Sequence, residues 1–404
     1  MRRVVITGAG SWNGFGAGVP RFLEALQNSR CAIGDMTLFS TAGFRTGRAA
    51  VAPTPEVDDL AGVRVGPRLS RSDGMALAAA REAWQSSGIG ETKLATDRIA
   101  VVVGGTTGGM LEAEEVLRRR RSGELARMHL RGLVTMPVAS TADVLAHAFG
   151  CAGARATVVT ACSSSANSLG FAADLIQEGR ADAALAGGTD AHCKMTYAGF
   201  NALQALAPDV CRPFDRRRAG LSLGEGAAMF VLEEEAQARR RGAVILAEFG
   251  GYGMSADAYH MTAPDPEGRG AVLAMRRALR EARVAAESVE YVNAHGTGTP
   301  QNDPIETRAI KEVFGAHAQR LAVSSTKSQT GHCLGAAGAI EILATVLGLR
   351  QGFVPPTIHL EEPDPECDLD YVPGAARERR LRFAVSNSYG FGGNNTSVVL
   401  AAYP

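Results

Sequence analysis

Cys162 follows a β-branched run, Thr157-Val158-Val159-Thr160, and precedes Ser163-Ser164-Ser165-Ala166, where a helix is expected to start. A thiolate there is favoured by the helix dipole and by free backbone N–H groups. That is how a thiol becomes a nucleophile near pH 7. Two histidines share this kind of setting. His295 lies in Asn293-Ala294-His295-Gly296-Thr297-Gly298-Thr299-Pro300, and His332 closes Ser325-Thr326-Lys327-Ser328-Gln329-Thr330-Gly331-His332. Each follows an expected strand and sits in a turn rich in Gly, Ser and Thr. An imidazole near a helix N-terminus tends to stay neutral and can donate one hydrogen bond. A thiol nucleophile with two neutral donors suits a site that stabilises an enolate and lets it attack an acyl thioester. The other six histidines (129, 147, 192, 260, 317 and 359) lie outside such turns and read as structural or surface residues. Cys162, His295 and His332 are far apart in sequence and include no local ligand pair, so no metal site is expected.

Elements must bring these residues together. Short apolar runs end in Gly or Ser: Val4–Ile6 before Gly8, Ile99–Val103 before Gly104, Ala183–Ala186 before Gly187, Tyr291–Val292 before His295, Leu321–Val323 before Ser324, and Phe383–Val385 before Ser386. Stretches of helical period separate them, at 75–87, 109–121, 163–179, 269–283, 304–315 and 335–350. That alternation predicts an α/β fold with binding groups at strand ends. Val158 to Ser163 and Val323 to Ser325 each lead through a polar turn into a small-residue helix, which hints at an internal duplication.

The chain has 404 residues, enough to bury a large core without staples. Lys plus Arg and Asp plus Glu are both 42, so the net charge is zero and bulk nucleic-acid binding is not expected. Only four basic residues are Lys (93, 194, 311 and 327), which makes a well-placed Lys conspicuous. The seven cysteines are scattered with no C-x-x-C pair, which excludes a disulfide scaffold or zinc ribbon and fits a reducing cytoplasm. The apolar start is too short for a signal peptide, and the greasiest stretch, 333–349, carries Glu341, so no membrane span is expected.

Three further motifs have plain readings. Gly10-x-x-x-Gly14-x-Gly16 is spaced like a dinucleotide loop, but no Tyr has a Lys four residues on, so a glycine-rich turn is expected. Gly220-Leu221-Ser222-Leu223-Gly224 lacks the buried strand that a nucleophile elbow needs, since Arg216-Arg217-Arg218 come just before it. Arg118–Arg121 and Arg216–Arg218 read as a solvated helix face and an ion-paired loop, or as a docking patch for an acidic partner.

With Thr160-Ala161-Cys162-Ser163-Ser164, the His295 and His332 turns, Gly335-Ala336-Ala337-Gly338 and Asn387-Ser388-Tyr389-Gly390-Phe391-Gly392-Gly393-Asn394-Asn395, the chain resembles the elongating β-ketoacyl-[acyl-carrier-protein] synthases over nearly its whole length. The resemblance implies a thiolase fold. Two similar halves, 1–245 with the Cys and 246–404 with both His, would form a five-layered α/β/α/β/α core, usually in a dimer. It implies that Cys162 takes the acyl chain as a thioester, with the N–H groups of Cys162 and Phe391 as oxyanion hole. His295 and His332 would hold a malonyl thioester and promote loss of CO2. Lys327 would tune His332, with Glu341 as its partner. Thr297 and Thr299 would bind the phosphopantetheine arm, which arrives on an acyl carrier protein, so no resident cofactor is expected. Phe391 would gate the acyl pocket, with Phe200 and Met110 lining it.

Some residues bear on subtype. Ser163-Ser164-Ser165 and Asn302-Asp303-Pro304-Ile305-Glu306 look like polyketide ketosynthases, whereas Gly253 to Thr262 looks like the fatty-acid enzymes. Tyr389 and Asn394 stand where the family suggests Phe and Thr. A homodimer is expected, or a heterodimer with a subunit like a chain-length factor. Two alternatives stay open: a thiolase acting on coenzyme A esters, which would need a second Cys absent from Gly390–Asn395, and a non-catalytic partner subunit.

Overall fold

The first strand, β1 (Val4–Asn13), runs straight through Gly8 and Gly10 rather than ending there. A helix explains this: α1 (Arg71–Ser87) lies so close that a Cβ on Gly8 would sit 2.1 Å from the Ala83 carbonyl oxygen, and one on Gly10 1.9 Å from that of Ala79. The expected glycine turn is therefore a helix-packing surface. In the computed structural model, which describes residues 2–56, 69–124, 130 and 133–404, β4 (Ala183–Asp190) likewise runs on through Gly187 and Gly188, where a Cβ would meet the Ala228 carbonyl of the neighbouring strand and the Ser165 side chain of a helix. His129 lies outside the described residues.

Two more strands in the first half of the chain lie at expected runs, β2 (Ile99–Gly104) and β3 (Arg155–Val158), and a third, β5 (Gly226–Glu234), is one that no run announced. The second half supplies β6 (Ala247–Ala256), β7 (Tyr291–Asn293), β8 (Ala322–Ser324), β9 (Phe383–Gly390) and β10 (Asn394–Ala401). The sheet order is β3-β2-β4-β5-β1 followed by β6-β10-β9-β7-β8. Counted from its edge strand, each group repeats the other, five strands on. In both, the first three strands pair in parallel and the last two antiparallel. The groups join where Val4–Ile6 pairs with Ala247–Phe249.

Helices complete five layers. α1 and α3 (Ser140–Phe149) cover the outer face of the first group, and α6 (Arg269–Ala282) with α7 (Asn302–Phe314) covers that of the second. Between the groups lie α4 (Ser164–Gln177) and α9 (Ala337–Gln351), which touch each other and strands of both. Small residues permit the contact: a Cβ on Gly338 would meet Ala166 Cβ at 2.9 Å. The stretch Leu334–Gln351 is the one described helical segment long and apolar enough to cross a membrane, and 89% of it is buried here as the central core helix.

Arg71 and Glu225 form a buried pair at 2.9 and 2.6 Å, with Glu225 also accepting the His192 N–H at 2.9 Å. Arg71→Met leaves that carboxylate buried without its cation. It should cost about 3–5 kcal/mol, read as a lower Tm; an unchanged Tm would show that the carboxylate finds another partner.

Candidate active site

Cys162 sits in the turn between β3 and α4. Ala161, just before it, is held at φ +52°, a conformation rare for a residue with a side chain. The serine run holds this turn. Ser163 Oγ donates to the Thr160 carbonyl at 2.8 Å, and Ser164 Oγ donates to that of Ala161 at 2.6 Å and accepts the Thr160 N–H at 2.9 Å. Ser165 Oγ accepts the Ala339 N–H from α9 at 2.8 Å. From the other half, the turn after β9 closes on the thiol. A Cβ on Gly390 would lie 3.1 Å from Cys162 N, so glycine lets this turn approach. The next N–H, of Phe391, faces the Cys162 sulfur and favours negative charge on it. Burial pushes the thiol up to about 11, against the Lys327 charge and the Phe391 N–H. Burial thus opposes the thiolate that the helix N-terminus favours.

Both histidines are buried. Their rings stand edge to face with centroids 5.4 Å apart. Lys327 Nζ is 3.2 Å from His295 Nδ1, and an ammonium can only donate, so His295 carries its proton on Nε2. His332 Nδ1 accepts the Leu334 N–H at 3.0 Å, which fixes the same tautomer. Each Nε2–H is left as the donor available to the cavity that both rings line. Burial holds both imidazoles well below their ordinary value, and the Lys327 charge adds to this in each. The His295 turn is pinned by Glu306 of α7, whose oxygens accept the His295 and Gly296 N–H groups, both at 2.8 Å.

A thiol facing an N–H, with two neutral donors in the same cavity, invites comparison with known proteins. Residues 1–238 match the family described as beta-ketoacyl synthase, N-terminal domain, and residues 246–361 match beta-ketoacyl synthase, C-terminal domain. The chain belongs to the beta-ketoacyl synthase family. It is 41% identical to 3-oxoacyl-[acyl-carrier-protein] synthase 2 of Coxiella burnetii, over 99% of this chain and 98% of that one. The solved ishigamide ketosynthase/chain length factor has a TM-score of 0.94 and 36% identity, covering 100% of both chains. A type II PKS acyl-carrier protein in complex with its ketosynthase has a TM-score of 0.89 and 31% identity, also covering 100% of both chains.

The synthase cavity has a volume of about 490 Å³ and takes in Cys162, His295, His332, Thr297, Thr299, Phe200 and Phe391. The Phe200 and Phe391 rings stack at 5.6 Å, and the Thr297 and Thr299 hydroxyls bond each other at 2.9 Å. Lys327 pairs with Glu341 and its charge lowers His332, as expected, but its direct bond is to His295 and it reaches His332 through space. The reason is that His332 Nδ1 is already taken by Leu334. Met110 does not line this cavity and opens α2 (Met110–Arg121), after Gly109, which packs on the Thr135 carbonyl.

His260, read as a surface or structural residue, lines the mouth of the cavity. Its Nδ1 accepts the Thr262 and Ala263 N–H groups at 3.1 and 3.2 Å, leaving Nε2–H free to donate. Arg218 Nε donates to the Thr299 carbonyl at 3.2 Å and pairs with Asp364, so this basic run braces the mouth. Arg118 and Arg119 of the other run both pair with Glu115, at 2.7 and 2.5 Å, which favours the solvated-face reading for those two. Ser222 is scaffold: its carbonyl accepts the His332 N–H at 2.7 Å, and its hydroxyl accepts the Cys211 N–H at 2.9 Å.

The lowered imidazoles give a pH prediction. An ordinary His, with a pKa of about 6.5, would protonate and lose its acceptor role as the pH falls. Here both stay neutral below that range, so CO2 release from a malonyl thioester should show no acid limb near pH 6.5. A fall centred there would mean that one ring titrates normally.

Proposed function

We propose that the chain joins an acyl group held on Cys162 to a malonyl thioester on an acyl carrier protein, releasing CO2 and a 3-ketoacyl thioester two carbons longer. The observation that carries this is the placing of a buried thiol against the Phe391 N–H, within one cavity with two Nε2–H donors.

The residues divide the chemistry. In the first step the Cys162 sulfur attacks the acyl thioester carbonyl. The oxyanion forms against the N–H groups of Cys162 and Phe391, where preorganised donors act most strongly. The carrier leaves as a thiolate and takes the thiol proton. In the second step a malonyl thioester replaces it, with its carbonyl oxygen toward His295 and His332. The C–CO2 bond breaks, and the electron pair becomes an enolate held by the two donors. Its carbon attacks the acyl carbonyl on Cys162, and the sulfur leaves and regains a proton. The phosphopantetheine arm would enter beside Thr297 and Thr299, arriving on the carrier, so the chain needs no cofactor of its own.

A second subunit is part of this reading. The β8 edge of the sheet is covered, since Val323 N–H donates to the Asp370 carbonyl at 2.8 Å. The opposite edge, β3, pairs only with β2 among the described residues, and Val159 beyond it is 58% exposed. An open edge with exposed apolar residues fits pairing with another chain, either a second copy or a subunit like a chain-length factor. The seven free cysteines fit the cytoplasm.

The test is intact-protein mass spectrometry with a panel of acyl carriers, followed by malonyl-carrier. An acyl adduct on the chain and a 3-ketoacyl product two carbons longer are expected, and the panel shows the preferred length. No adduct from any carrier, with or without a partner subunit, would overturn the reading. Among the described residues, Cys162 is the one cysteine lining the cavity, so nothing favours a two-cysteine thiolase.

A further inference from the structure

The repeated strand order creates a twin of the catalytic pocket. β4 and β9 are equivalent, each of 8 residues, so Asp190 at the end of one stands where Gly390 stands at the end of the other. By the same registers Gly104 takes the place of His295. The twin position is not a cavity. It is filled by the Asp190 carboxylate, which is fully buried. Oδ1 accepts the Thr106 N–H at 2.9 Å, the Thr107 N–H at 2.7 Å and the Thr107 hydroxyl at 2.8 Å. Oδ2 accepts the Thr106 hydroxyl and the Gly335 N–H, both at 2.6 Å.

The last of these bonds crosses between the halves. Gly335 lies three residues after His332 and follows Leu334, whose N–H sets the His332 tautomer. Leu334 is held at φ +51°, an unfavourable conformation that needs external support. Gly335 itself has no room to shift toward the first half: a Cβ there would lie 2.6 Å from Asp190 Oδ2 and 2.8 Å from Gly105 Cα. The turn carrying His332 is thus clamped at its far end by a carboxylate from the other half.

We propose that Asp190 is a positioning residue for decarboxylation, which holds His332 as an Nε2–H donor by fixing the Gly335 N–H across the boundary between the halves. This rests on the reaction proposed above. Asp190 does not line the cavity and does not bond the Cys162 turn; its charge reaches the thiol only through space, where it opposes ionisation. Removing that charge should therefore not slow acylation.

Asp190→Asn keeps the shape but turns an amide N–H toward the Gly335 N–H, so that two donors face each other. Acyl transfer to Cys162, read by intact mass, should stay within threefold of wild type. CO2 release from malonyl-carrier should fall tenfold or more in kcat, with little change in KM. Gly335→Ala, which crowds the same contact from the other side, should give the same split and carries the test if Asp190→Asn does not fold. Equal losses in both steps, or decarboxylation within threefold of wild type in a folded variant, would overturn the proposal. Nitrogen NMR of His332 separates this from failure of the reaction itself. Asp190→Asn should convert a single Nε2–H tautomer into a mixture. An unchanged tautomer sinks the proposal even if wild type proves to catalyse something else.

Discussion

Cys162→Ala is expected to take up no acyl group from any carrier, while wild type gains one, and condensation should fall on the order of 10⁴-fold or more. No other thiol can substitute. Five of the remaining cysteines are buried, Cys31 is exposed, and none of the six lines the cavity. The Ser163, Ser164 and Ser165 hydroxyls beside it are committed to holding the turn and the α4–α9 contact. The same variant should still release CO2 from malonyl-carrier, because neither imidazole depends on the sulfur for its tautomer. Loss of the adduct with retention of CO2 release would separate the two half-reactions cleanly. An adduct that survives the substitution would mean that the nucleophile lies elsewhere.

His332→Ala should do the converse. Removing one of two donors to a developing oxyanion costs about 10²–10³-fold in similar settings, and CO2 release should fall by that much. Acylation of Cys162 should continue, since the Phe391 N–H and the 160–165 turn are untouched, and its survival reports that the variant is folded. His295 cannot fully compensate. It holds one Nε2–H, and Lys327 occupies its other nitrogen. Normal CO2 release from His332→Ala would remove this residue from the chemistry.

Cys162, His295 and His332 were legible in the sequence because each lies in a turn just after a strand. Six helices were also legible from their helical period, whereas α3 was not. What misled was glycine. Inside β6, a Cβ on Gly253 would lie 2.3 Å from the Ala274 carbonyl of α6, so this glycine marks helix packing and not a turn. β6 was absent from the expected strands, and with it the link from that strand to His260. Lys327 stood out as one of four lysines, and the resemblance gave it Glu341 as a partner, but its bond to His295 was not legible. Which imidazole it meets depends on a backbone N–H, that of Leu334, already occupying the other. Glu306 and Asp190 act through backbone groups of distant turns, and no sequence spacing expresses that. Acidic residues placed shortly after a catalytic turn, as Asp303 and Glu306 follow His295, were the one available sign.

The duplicated strand order also governs when this protein becomes reactive. The sulfur is delivered by one repeat, whereas the imidazoles and the Phe391 amide are delivered by the other. A chain in which only the first repeat has folded therefore holds the thiol without the imidazoles and the amide that complete the site. Condensation thus requires both repeats to be docked, with α4 against α9.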